Sequence, residues 1–195
     1  MNFDRGKFFD ASLNESSETK LNILKSCRES IYKAIDLIKE SVQSGGKIML
    51  CGNGGSAADS QHIATEFVIR LSHDIKRPAI AAIALTTDSS LLTAGGNDIG
   101  FENVFARSVE GLGRKGDVLI GISTSGNSKN VINAFEKAKE KGVKTVAFLG
   151  GSGGKMKGMS DVDIIIPSGN TQRIQEGHIT VGHIICESVE RELYG

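Results

Sequence analysis

Two short stretches of this 195-residue chain gather the groups that chemistry on a small anion needs. Ser123-Thr124-Ser125-Gly126-Asn127-Ser128 packs four hydroxyls and a glycine between the apolar run 117–122 and a helical pattern that follows. Such a turn holds a phosphate dianion without lysine or arginine, because hydroxyls, free backbone N–H groups and the positive end of a helix dipole converge on it. Cys51-Gly52-Asn53-Gly54-Gly55-Ser56 follows another short apolar run, and its glycines permit positive φ and close backbone approach to a ligand. Ser56 as an N-cap, with Asp59 imitating a capping box, is the bland reading of the same turn. Capping accounts for those two residues and leaves Asn53, Gly54 and Gly55 unexplained, so the turn is read as a binding element. The simplest use of both turns is one phosphorylated small molecule.

Proton chemistry has fewer candidates. In Gln61-His62-Ile63-Ala64-Thr65-Glu66, His62 and Glu66 stand one helical turn apart on one face, where they can share a metal or a substrate proton. Spacing alone favours a solvated helix face or a buried histidine satisfied by its neighbour, and proximity to the glycine turn reverses that weighting. The last helical segment carries Arg173, Gln175, Glu176, His178 and His183. Gln175 and His183 are about 12 Å apart along a regular helix and roughly 80° apart in heading, so they meet at one ion only by leaning inward. His178 reads as a surface or interface histidine. Gly52, Gly54 and Ala57 also fit a dinucleotide fingerprint, but Leu85-Thr86-Thr87 stands where a ribose-binding acid is required. Gly153-Gly154-Lys155 fails as a nucleotide-binding P-loop, since Leu149 and Met156 occupy the defining positions.

These residues need a scaffold, and the hydrophobic pattern supplies one. Short apolar runs at 47–51, 79–85, 117–122, 145–149 and 163–166 alternate with helical patterns, the signature of a parallel sheet covered on both faces. Residues 2–20 read as one helix, a second runs from Leu24 until Ser44-Gly45-Gly46 stops it, and a last one spans 171–193. Gly142 stands at C′ of the helix opening at Ser128, and 150–154 reads as a mobile loop. One domain, 1–195, is expected, with 1–44 as a helical segment packed on the sheet. Lys plus Arg and Asp plus Glu both number 23, so no basic field invites nucleic acid or an anionic membrane. The N-terminus lacks signal-peptide order, the apolar runs are too short to span a bilayer, and three scattered cysteines read as reduced, buried thiols. A cytoplasmic protein is expected.

Taken in order, Cys51 to Ser56 with His62 and Glu66, Gly96-Asn97-Asp98-Ile99-Gly100-Phe101, Gly121 to Ser128, and Arg173 to His178 with His183 resemble the phosphoheptose isomerase branch of the sugar isomerase (SIS) family. The resemblance covers nearly the whole chain. It implies a flavodoxin-like α/β three-layer sandwich with a five-stranded parallel sheet, and a homotetramer in which the N-terminal helices also pack on neighbouring subunits. It implies one zinc per subunit on His62, Glu66, Gln175 and His183, with Glu66 and His183 as the acid/base pair. Asn53, Gly54, Gly55, Ser56, Glu66, Asn97, Asp98, Ser123, Thr124, Ser125, Ser128 and Gln175 correspond to substrate contacts. The implied reaction converts sedoheptulose 7-phosphate to D-glycero-D-manno-heptose 7-phosphate, the first step towards nucleotide-activated heptose. Gln172, where some members carry an acid, and Ala57-Ala58 depart from the pattern. Another sugar-phosphate isomerase, or a non-enzymatic SIS protein binding the replication initiator, are the alternatives.

Overall fold

The computed structural model describes residues 3–195. Asp4 caps the first helix, α1 (Arg5–Ser26), by accepting a hydrogen bond from the Lys7 amide at 3.1 Å. The polar stretch Asn14 to Lys20 does not end it. Its side chains bond within the helix, Thr19 to the Glu15 carbonyl and Lys20 to the Ser16 hydroxyl, so α1 continues well past the expected end at residue 20. The break comes at Cys27, whose amide still bonds back to Ile23 before the chain restarts as α2 (Arg28–Gln43). Residue 2, the expected start, lies outside the described residues.

Five parallel strands follow in the order β2-β1-β3-β4-β5: β1 (Ile48–Gly52), β2 (Ala82–Ala84), β3 (Val118–Ser123), β4 (Lys144–Gly150) and β5 (Val162–Ile166). Helices α3 (Gly55–Val68), α4 (Ser89–Asp98), α5 (Val104–Leu112), α6 (Lys129–Glu140) and α7 (Thr171–Tyr194) complete the chain. Successive side chains of a strand face opposite sides, and here both sides are dry. Ile48, Leu50, Ile120 and Ile122 meet α2, α3 and α7, whereas Met49, Leu119 and Leu149 meet α5 and α6.

β2 is shorter than the apolar run 79–85 that predicts it. The Ile80 amide bonds to the Phe67 carbonyl rather than to the sheet, and Ile83 lies exposed on the outer edge. Only Ile80, Ala84 and Leu85 of that run are buried apolar side chains, so the run's hydrophobicity anchors its ends. Among the described residues, no helix is long and apolar enough to cross a membrane.

The chain leaves β1 for one edge and returns to its other side as β3, which places a topological switch point between those two strands. Ligands of open parallel sheets bind beyond the strand ends at such a point. Both polar turns lie there, one after β1 and the other after β3. Close packing at Gly121 lets α6 approach β3, since a Cβ there would fall 2.4 Å from the Phe135 ring. Gly121→Ala is expected to lower stability by about 1–3 kcal/mol through overpacking, read as a shifted urea midpoint at fixed protein concentration.

Candidate active site

The first turn is shaped by glycine rather than capped by serine. Gly54 adopts φ +55 as the N-cap of α3, and no side chain caps the helix. Ser56 is instead buried in the first turn, where its amide bonds to the Asn53 carbonyl at 3.0 Å. Asp59 makes no capping box; one carboxylate oxygen is buried without a partner, and burial pushes its pKa up against a partial offset from His62. Gly55 has a separate role. A Cβ there would lie 2.7 Å from Nε2 of Gln175, so only glycine lets that amide lie over the start of α3.

Asn53 faces across the switch point. Its amide and that of Asn130 on α6 bond reciprocally, Asn53 Nδ2 to Asn130 Oδ1 at 2.9 Å and Asn130 Nδ2 to Asn53 Oδ1 at 2.8 Å. Asn130 escaped the sequence reading, although an amide two residues beyond the hydroxyl-rich turn was the available signal.

In the second turn, Ser123 is buried, Thr124 and Ser128 are half-buried, and Ser125 is exposed. Ser123 Oγ and Ser128 Oγ lie 2.9 Å apart. Ser128 is the N-cap of α6 but makes no side-chain capping bond; its carbonyl takes the Val131 and Ile132 amides, which leaves those of Lys129 and Asn130 open to an anion. Gly126, at φ +63, packs so closely that a Cβ would sit 1.9 Å from the Gly153 carbonyl oxygen. The Met156 amide bonds to Gly126 O, and that of Lys155 to Asn127 Oδ1. The segment expected to be a mobile loop is thus a buttress that backs the hydroxyl turn.

Helices α3 and α7 bring the proton-transfer candidates together. His62 Nε2 and His183 Nε2 lie 2.9 Å apart with the rings edge-on, and Glu66 Oε1 is 3.3 Å from His62 Nε2. Glu66 is largely buried at 16% side-chain exposure, while His62 keeps 49%, so the cluster opens to solvent on one side. The helices run side by side in the same direction, Gln175 meeting Gly55 and His183 meeting His62. Gln175 and His183 thus stay about two turns apart on α7, against Gly55 and His62, and meet at one ion only by leaning inward. Among the described residues, no three His, Cys, Asp or Glu side chains form a closed ligating array. Asn97 and Asp98 lie exposed at the end of α4 and bond to each other at 2.7 Å; within one chain no hydrogen bond links them to either turn.

His178 overturns its sequence reading. It is fully buried, its ring lies against Phe148, and Nε2 donates to the Leu149 carbonyl at 2.9 Å, while Nδ1 has no partner. Ile174, His178, Val181 and Ile185 fall on one apolar stripe, the spacing that could have placed it inside. Burial lowers its pKa to about 4 despite the bond to Leu149. The cysteines are buried and unpaired, and burial pushes the Cys51 thiol up to about 12.

The SIS domain family model matches residues 13–150. A phosphoheptose isomerase from Pelodictyon phaeoclathratiforme is 50% identical over 194 residues, 97% of this chain and 92% of that protein. One from Clostridium acetobutylicum is 51% identical over 190 residues, 96% of each. The chain belongs to the phosphoheptose isomerase branch of the SIS family. The solved structure of the phosphoheptose isomerase from Neisseria gonorrhoeae superposes with a TM-score of 0.90 at 43% identity, covering 96% of this chain and all of that one. Phosphoheptose isomerase relatives therefore match both the sequence and the five-stranded parallel sheet.

His178 gives this family member a measurable pH signature. Above pH 6.5 the ring is neutral folded or unfolded. Between that value and about 4 the unfolded chain binds a proton that the folded one refuses, so stability falls as pH drops. The expected loss from this residue reaches about 3 kcal/mol near pH 4. Thermal melts of wild type and His178→Gln across that window check it, the variant showing the flatter slope.

Proposed function

We propose that this chain catalyses the aldose–ketose isomerisation of sedoheptulose 7-phosphate to D-glycero-D-manno-heptose 7-phosphate, supplying a pathway to nucleotide-activated heptose. The observation that carries the reading is an uncapped, hydroxyl-lined helix start at the sheet's switch point together with a Glu66–His62–His183 cluster where α3 packs on α7. Relatives of about half-identical sequence bear the phosphoheptose isomerase name. A scaffold that only binds another protein has no use for a buried carboxylate beside two imidazoles.

In this reading Ser123, Thr124, Ser125 and Ser128 receive the phosphate, and Gly54 and Gly55 let the sugar approach the backbone. Glu66 moves the carbon-bound proton between adjacent carbons of an enediol, and His183 moves a proton at oxygen during ring opening. Ser56 and Asn53 shape the first turn, with Asn97 and Asp98 assigned to the sugar's outer hydroxyls. Glu66→Gln is expected to lower kcat by about 100-fold or more with the fold intact, and to stop exchange of the transferred proton with solvent. Retained exchange would remove Glu66 from the role of base.

The same cluster suits one zinc ion. Two Nε2 atoms at 2.9 Å can share one N–H as donor and acceptor, or both can turn lone pairs to an ion, and a carboxylate stands beside them. His62, His183, Glu66 and the amide oxygen of Gln175 would hold it, a nitrogen and oxygen set that zinc accepts. When bound, zinc polarises a carbonyl oxygen as a Lewis acid. Metal analysis of purified protein should find about one zinc per chain, falling well below that in His62→Ala. Full activity in metal-poor wild-type protein would sink this assignment.

Apolar side chains left exposed on α1, α2 and α7 support a homotetramer in which the N-terminal helices contact neighbouring subunits. They include Phe8, Phe9, Leu13, Leu24, Tyr32 and Ile184. Unpaired thiols suit the reducing cytoplasm.

A further inference from the structure

Arg77 and Glu190 form a buried ion pair far along the helices from the phosphate turn, with side-chain exposures of 0% and 1%. Nε and Nη2 of Arg77 reach Glu190 Oε1 at 2.8 and 2.7 Å. The same Nη2 donates to the backbone carbonyl of Glu66 at 2.8 Å, and Nη1 to the Pro78 carbonyl at 3.0 Å. Glu190 also accepts from the amides of Leu71 and Ser72, each at 2.9 Å. Burial alone would raise the Glu190 carboxyl, but those two amides and the guanidinium hold it below its ordinary value.

This arrangement is more than a satisfied charge. Glu66 lies in the last turn of α3, where carbonyls lose their intrahelical partners. Thr65 O is taken by the Ile69 amide, Phe67 O by the Ile80 amide, and Glu66 O by Arg77. Glu190 stands seven residues beyond His183 on α7, about two turns along the same face. The guanidinium therefore joins the backbone of Glu66 to the helix that carries His183. A second contact sets the spacing of the same helices, since a Cβ on Gly182 would fall 2.6 Å from Ile63 Cδ1. Gly182 fixes how near the helices come, and Arg77 fixes how far one can slide past the other.

We infer that Arg77 and Glu190 are positioning residues for the isomerase reaction, clasping α3 to α7 so that the Glu66 carboxylate and the His183 imidazole keep their register. The inference rests on the assignment of Glu66 and His183 as the acid/base pair. Because the phosphate turn sits on β3 and α6, loss of the clasp leaves that anchor in place and acts mainly on the groups that α3 and α7 carry. Lysine retains the charge opposite Glu190 but lacks the planar fork that spans Glu190, Glu66 O and Pro78 O together.

The test compares Arg77→Lys and Glu190→Gln with Val109→Ala, a cavity variant on the opposite face of the sheet, all assayed well below their melting temperatures. A lost register is expected to cut kcat by about tenfold to hundredfold with a smaller change in KM, as small misplacements of reacting groups do. Val109→Ala, at comparable thermal destabilisation, should keep wild-type kcat. Clasp variants whose kcat falls no further than that of Val109→Ala overturn the proposal, and so does failure of both to fold, which assigns the pair to stability alone. Glu66→Gln run alongside separates the two readings. Full turnover there overturns the acid/base assignment and the positioning role with it, whereas an inactive Glu66→Gln beside a fully active Arg77→Lys overturns the clasp only.

Discussion

Close parallel packing of α3 against α7 is the constraint on which the site depends. Gly182 removes the side chain that would hold Ile63 away, and Gly55 removes the one that would displace the Gln175 amide. With the helices this near, residues distant in sequence become neighbours in steps of about two turns: Gly55 with Gln175, His62 with His183, and Glu66 O with Glu190 through Arg77. In the proposed assignment neither helix alone carries the chemistry. A carboxylate and one imidazole come from the first, another imidazole and an amide from the second, and the sheet beneath fixes both.

The proposed anion site works without fixed charge. A chain with equal numbers of acidic and basic residues has no long-range field to draw a phosphate in. Its binding turn instead combines hydroxyls with helix amides that Ser128 leaves uncapped. Such a site favours geometry over net attraction, because each donor must point at an oxygen to contribute. The rigidity it needs comes from behind, where the glycines at 153 and 154 press against Gly126 and backbone bonds from Lys155 and Met156 hold the turn in place.

Much of this architecture is legible in the sequence because its signals are local. Strands buried on both faces leave continuous apolar runs, and β1, β3, β4 and β5 fall within a residue or so of them. The two turns announce themselves by composition at strand ends. Features that depend on tertiary partners are not visible in this way. Cys27 breaks α1 from α2 without a proline or glycine, and the run before β2 spends its hydrophobicity on Phe67 and the core rather than on the sheet. His178 was misplaced because a polar residue type was given more weight than its position on an apolar stripe. Nor does the sequence show that α3 runs beside α7 and sets Gly55 against Gln175 and His62 against His183. Asn130, Arg77 and Glu190 matter through partners 77, 11 and 113 residues away, a separation no window on the sequence reports.

The reciprocal amide pair of Asn53 and Asn130 joins the turn after β1 to the helix after β3. Each amide spends one donor and one acceptor on the other, so the pair carries no charge and does not loosen when pH changes. The distance between the turn after β1 and the start of α6 is therefore set by the protein and not by whatever occupies the turns. Two loops pinned in this way meet an incoming ligand as one rim that does not have to assemble around it.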